Sequence, residues 1–402
     1  MTPEEMIWTA PRAVTRVLKV LVMFGAVALG VGLYRSPDRA WANMLLSGYF
    51  MLELSLGAMF FLAVHSVSGA TWHVAFRRVP EAMARVLPLG AIALLVVLQV
   101  HPSLYPFASQ PAATGVDTFR DVWFQRRFFL TRSVVYLACW TAFAVALVRT
   151  SHRQDAEGDP ALIRRSVRLS AGFLVALAVT FVPASIDWLM SLEPGWYSTI
   201  FGFYAFAGMF LAALAAIVIL VVSIHCLAPA SFTVTPGHLH DLGKLLFAFS
   251  TFWMYLWFCQ YMLIWYGNIP EETAYFVKRQ QGPWASLFLL NPILNWGAPF
   301  VLLLSQRAKK TASVLVLAAT VIVTGNLLDL YLAVLPRFLG PTPALGLLEI
   351  GLPAAAIGLF ALAVFHVLGR APLVPVRDPS LAKSIEYGLE DNRDDALEWL
   401  PE

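Results

Sequence analysis

Charge is scarce in this sequence. Asp, Glu, Lys and Arg make up 13% of its 402 residues, against about 25% in an ordinary soluble domain. Cysteine is scarcer still, with three in the chain: Cys139, Cys226 and Cys259. They lie far apart, in or at the edge of apolar runs, and read as lone thiols packed between helices. No CxxC and no CxxCH occurs, so a c-type haem or a cysteine-ligated cluster has no anchor here. Histidine is missing from the middle of every apolar run. His65, His225 and His366 fall at one end of such runs, His73, His152, His238 and His240 in the loops beyond, and His101 at the opposite end. A b-type haem between facing histidines deep in a bundle therefore has no ligand pair. The net charge of +3 is spread over short loops and does not suggest nucleic acid.

What the chain has is grease. Hydrophobic residues make up 59% of it, and apolar runs of about 18 or more recur, the mark of membrane-spanning helices. A soluble fold would have to bury many all-round apolar helices in one core. Ten spans are predicted: Val17–Tyr34, Ala40–Val64, Met83–Val100, Phe128–Leu147, Leu169–Met190, Tyr197–Ile224, Leu242–Tyr266, Pro283–Leu304, Thr311–Leu335 and Ala344–Val367. The first reads as a retained helix, because Glu4 and Glu5 precede it and no small-x-small cleavage site follows. An even number of spans puts both termini on one side. That side collects most of the basic residues, among them Arg77, Arg78, Arg149, Arg153, Arg164 and Arg165, so it is expected to be the cytoplasmic one. Beyond Arg370 the chain is polar and net acidic and reads as a cytoplasmic tail, 370–402. On the outer side, His101–Arg127 and Gly267–Gly282 are long enough to be ordered caps.

Four acids fall inside the spans: Glu53, Asp187, Asp329 and Glu349. A charge in hydrocarbon is costly, so such groups face the bundle interior and are functional candidates by default. Glu53 lies 13 residues into its span, about 20 Å along the helix and near its middle. The other three lie in the outer half. Loss of water favours the neutral form of a carboxylate and lets it exchange protons near neutral pH. With Asn326, Tyr331, Gln260 and Tyr261 as relays, the four acids read as a proton path. Interhelical hydrogen bonding is the other reading, and for Asp187 and Glu349, near the interface, it is the stronger one.

The stretch "PASIDWLMSLEPGWYST" (Pro183–Thr199) places Pro183 four residues before Asp187. Proline frees a backbone carbonyl one turn back and kinks the helix. Pro194-Gly195 is expected to turn, with Ser198 or Thr199 capping the next span. Trp188, Trp196, Tyr197, Trp265, Tyr266 and Trp284 form an outer aromatic belt, against which a quinone headgroup could also lie. The ends of spans five and nine, "DWLMSLEPGWYST" and "NLLDLYLAVLPRF", share an aspartate followed by a proline, too little to establish an internal repeat. Apart from Pro183, no paired mid-span breaks suggest a secondary transporter.

Three long segments, "DWLMSLEPGWYSTIFGFYAFAG", "LGKLLFAFSTFWMYLWFCQYMLIWYGNIPEET" and "NPILNWGAPFVLLLS", resemble the F-type membrane subunits of bacterial alternative complex III. These belong to the ten-helix family typified by the membrane anchors of polysulfide reductase and formate-linked nitrite reductase. The resemblance implies an all-α membrane fold of two four-helix bundles, spans two to five and six to nine, flanked by spans one and ten. It also implies a bacterial inner membrane and a quinol:cytochrome c oxidoreductase. The partners it implies are a sister ten-helix subunit, an iron–sulfur protein, multihaem and monohaem cytochromes c, small membrane subunits and lipid. The haems and clusters would belong to those partners. This chain would bind no cofactor or metal, have no catalytic centre of its own, scaffold the complex and carry a proton half-channel. Quinone binding by this chain is the alternative.

Overall fold

The computed structural model describes residues 8–109, 119–193, 195–228, 232 and 234–386. Pro194, part of the first outer cap and the end of the acidic tail lie outside the described residues. The structure is all-helical, with ten helices long and apolar enough to cross a membrane. Spans one to five are Arg12–Arg35, Pro37–Ser68, Arg78–Val100, Arg126–Glu157 and Pro160–Leu192. Spans six to ten are Phe201–Leu227, Pro236–Gly267, Trp284–Leu302, Ala312–Val334 and Leu347–Leu368.

Every predicted span is present, but spans four and five run well past their predicted inner ends. Hydropathy marks only the apolar part of a helix, and here polar turns continue it. Arg153 bonds Glu157 one turn on, at 3.0 Å, a pair that supports exposed helix. The helix stops at Gly158, Asp159 accepts the Ala161 N–H at 2.8 Å, and Pro160 opens span five, an order suited to a tight helix–helix join. His152 therefore lies in a helix rather than a loop, and His238 and His240 lie in the first turns of span seven. Span six starts at Phe201 with Ile200 at its N-cap and no side-chain cap bond. Neither Ser198 nor Thr199 caps it, because the chain enters through a backbone turn, Phe201 N–H to Ser198 O at 3.2 Å.

Span two is the hub. It packs on spans three, five and six, and also on spans ten and one. Gly57 permits the approach to span six, where an added methyl would stand 2.9 Å from the Met209 carbonyl oxygen. Span six packs in turn on spans seven and nine, and spans one and ten pair closely outside this core. Span eight is irregular. Residues Ile293–Gly297 form a single π turn. Pro299 has no N–H to offer the Asn295 carbonyl one turn back, and Ser250 of span seven donates to that carbonyl at 2.6 Å instead. Such bulges are frequent at functional sites.

Both segments predicted as outer caps contain helix, Phe119–Trp123 in the first and Pro270–Gln280 in the second. At the end of the bundle predicted to be the inner one, Arg77 and Arg78 meet Glu81, Asp155 and Asp378 in one largely buried ion-pair network. Asp378 belongs to the tail, whose described part is docked rather than free. Ser384 is fully buried and donates to the Trp72 carbonyl at 2.7 Å while accepting from Ala75 N–H at 3.2 Å.

Candidate functional site

The four acids that fall within the long apolar helices divide into two kinds. Asp187 and Glu349 are fully partnered. Arg132 of span four forks onto Asp187, with Nε–Oδ2 at 3.2 Å and Nη2–Oδ1 at 3.0 Å. The Trp123 indole N–H donates to the same carboxylate at 2.8 Å. Arg132 also lies over the Trp123 ring, 3.9 Å from its centroid, and donates to the Trp123 carbonyl at 2.7 Å. Glu349 holds Arg39 in the same bidentate fashion, at 2.7 and 2.6 Å. It also accepts from Asn43 at 3.0 Å and from the Gly346 N–H at 3.0 Å. Tyr331 belongs to this outer corner, where its hydroxyl donates to the Ala344 carbonyl at 2.8 Å. Saturated bidentate pairs of this kind fix helices against each other and leave no lone pair for traffic. Asp187 thus ties span five to span four.

Glu53 and Asp329 differ. Glu53 is 3% exposed, yet its Oε1 has no hydrogen-bond partner. Asn326 of span nine stands beside it, and the Asn326 Oδ1 is likewise without a donor. Each of these side chains thus carries a buried oxygen lacking a donor, which is unusual because such groups are nearly always satisfied. One turn further along span nine, Asp329 accepts from Asn291 of span eight at 2.7 Å and from the Tyr204 hydroxyl of span six. Asn295 continues the line, donating to Asn291 Oδ1 at 2.7 Å. The result is a buried polar seam between spans two, six, eight and nine. The π turn helps form it, since its Asn295 carbonyl is held by Ser250.

Asp329 also lines a cavity of about 30 Å3 with Tyr204, Gln260, Asn291, Tyr275 and Arg279, room for about one water. Tyr275 and Arg279 come from the second outer cap. Arg279 is pinned there by the Leu332 carbonyl at 2.7 Å and its own ring partner Tyr275 at 3.4 Å. Burial pushes the Tyr275 hydroxyl up, Arg279 pulls it down, and Asp329 and Glu193 push it up again. Lys278 bonds Glu193 at 3.1 Å, and the Trp196 ring stacks on Tyr275 at 3.9 Å. The cap helix thus closes the outer side of the cavity onto the loop between spans five and six.

Of the eight residues named from sequence, the structure brings Glu53, Asn326, Asp329 and Gln260 to this seam and its cavity. Glu349 and Tyr331 sit together elsewhere, and Asp187 is apart from both. Tyr261 stacks on Trp257 at 5.9 Å and meets Phe276 at 5.3 Å, outside the cavity lining. Tyr204, Asn291 and Asn295 were not singled out from sequence. Asn291 and Asn295, four apart in an otherwise apolar run, were the available signal. No protein-family model matches this chain, and no curated protein matches it significantly.

Proposed function

We propose that the chain is a cofactor-free, multi-pass subunit of a quinol:cytochrome c oxidoreductase of the alternative complex III type. In this reading it lies in a bacterial cytoplasmic membrane with both termini inside. It scaffolds the complex as two four-helix bundles, spans two to five and six to nine, joined where span two meets span six. The seam conducts protons part of the way across. The observation that carries the conduction is the Glu53–Asn326 pair, two buried oxygens with no donor, one helical turn from the Asp329 cavity. A proton on Glu53 supplies the missing donor, and its transfer restores the acceptor. That is the local chemistry of a relay rather than of a clamp.

The path runs from the water-sized cavity under the Arg279 cap, through Asp329 and Asn326, to Glu53. Asp187 and Glu349 serve as outer clamps. Glu53→Gln and Asp329→Asn in the assembled complex test the relay, read as proton release per electron at matched subunit content. A second reading, quinone binding by this chain, draws on an open groove of about 800 Å3 on the outer side, lined by Phe107, Trp123, Phe124, Pro183 and Trp196. Unchanged quinol kinetics on filling that groove with Ile186→Trp would remove it.

A further inference from the structure

Spans three and four diverge on the outer surface of the bundle and leave an open groove of about 770 Å3. Its walls are apolar, with Ile92 and Leu95 from span three and Leu137 and Val145 from span four. Its inner end carries three arginines, Arg149 and Arg153 one turn apart on span four and Arg165 on span five. Arg153 is partly engaged by Glu157 at 3.0 Å. Neither Arg149 nor Arg165 has a carboxylate partner among the described residues, and both are exposed. The groove follows span four from Val134 to Arg149, about 22 Å of helix, longer than the roughly 15 Å of one hydrocarbon leaflet.

We infer that this groove is a binding site for an anionic phospholipid. Its acyl chains lie along Ile92, Leu95, Leu137 and Val145, and its phosphate is held by Arg149, Arg153 and Arg165. Charge complementarity and depth together select the occupant. A row of apolar side chains would accept any hydrocarbon. Three guanidiniums at the level where the apolar lining ends select a headgroup with net negative charge, and guanidinium forks match phosphate oxygens. Basic pockets between membrane helices on the cytoplasmic side recognise anionic headgroups in this way. The site shares no residue with the Glu53–Asp329 seam and rests only on the membrane reading of the chain.

The test uses the full chain, in whatever complex it is purified, reconstituted into nanodiscs of phosphatidylcholine with or without phosphatidylglycerol. Lipid retained through detergent exchange is then counted by mass spectrometry. Phosphatidylglycerol should be retained by the wild type. Retention should fall roughly fivefold for each arginine removed among Arg149→Gln, Arg153→Gln and Arg165→Gln. The control Arg164→Gln with Arg168→Gln, at the same inner end but outside the groove lining, should retain it. Ala142→Trp, which fills the groove and keeps the arginines, should also lose it. Retention unchanged in the triple arginine variant overturns the proposal. So does a photocrosslinker at Ala138 that captures a helix of another polypeptide instead of lipid.

Discussion

Asp187 and Arg132 are bound fork to fork in a buried pair, with Arg132 7% exposed and Asp187 fully buried. The pair joins span five to span four at their outer ends and is roofed by Trp123. Removing one partner of such a pair leaves a buried charge without compensation, at a cost of about 3–5 kcal/mol. Asp187→Asn and Arg132→Gln should each lower the thermal stability of the purified protein by an amount of that order. The double variant should lose clearly less than the two losses combined. Additive losses would mean that the two side chains do not act as a pair.

Spans one and ten meet at close range. A methyl at Gly25 would stand 2.5 Å from the Gly351 carbonyl oxygen, so the backbones touch and no side chain fits between them. Small residues commonly allow this kind of contact between membrane helices. Gly25→Leu should force the two spans apart and destabilise the protein by about 1–3 kcal/mol. The seam, built on spans two, six, eight and nine, should stay intact. Disulfide trapping between cysteines placed on spans one and ten reads the separation directly, and unchanged trapping would contradict the contact.

His73 sets a pH dependence. It is 4% exposed with Nδ1 unpartnered. Burial first, then His65 and Arg77, holds its imidazolium well below the usual histidine range. In the unfolded chain it protonates near its ordinary value of about 6.5. Above that pH both states are neutral there and no penalty arises. As pH falls below it, the unfolded state takes up a proton that the folded state refuses, so stability falls, by up to about 1.4 kcal/mol per pH unit. The apparent melting temperature of the wild type should drop from about pH 8 to about pH 5, and His73→Gln should drop measurably less. An equal drop in both would show that His73 does not set this dependence.

Much of the fold could be read from hydropathy. All ten spans were legible because a run of apolar residues long enough to cross hydrocarbon has few other uses. Their ends were less so. Arg153, Glu157 and Asp159 extend or cap helices in polar sequence that hydropathy treats as loop. The acids were legible as costly charges, but their roles were not. What separates Asp187 from Glu53 is a partner on another helix. Arg132 falls inside its own predicted span and carries no mark of where it points. Tyr204 and the π turn were invisible for a related reason. Their importance comes from Asp329 and Ser250 on neighbouring spans, and pairing across helices leaves no local periodicity. The docking of Asp378 and Ser384 onto the inner end was hidden in a segment whose composition reads as a solvated arm.

Proton conduction through the seam depends on Glu53. Complex carrying Glu53→Gln, with subunit content and electron transfer activity checked in the same preparation, is reconstituted into liposomes, and proton release per electron is followed with a pH-sensitive dye. An amide keeps the shape of the side chain but cannot give up and regain a proton as a carboxylic acid does. Release should fall well below wild type, with an equal or smaller reduction in Asp329→Asn and wild-type release in Glu349→Gln wherever that clamp variant assembles. Wild-type proton release with Glu53→Gln would contradict that conduction and leave the seam as a purely structural junction between spans two and nine.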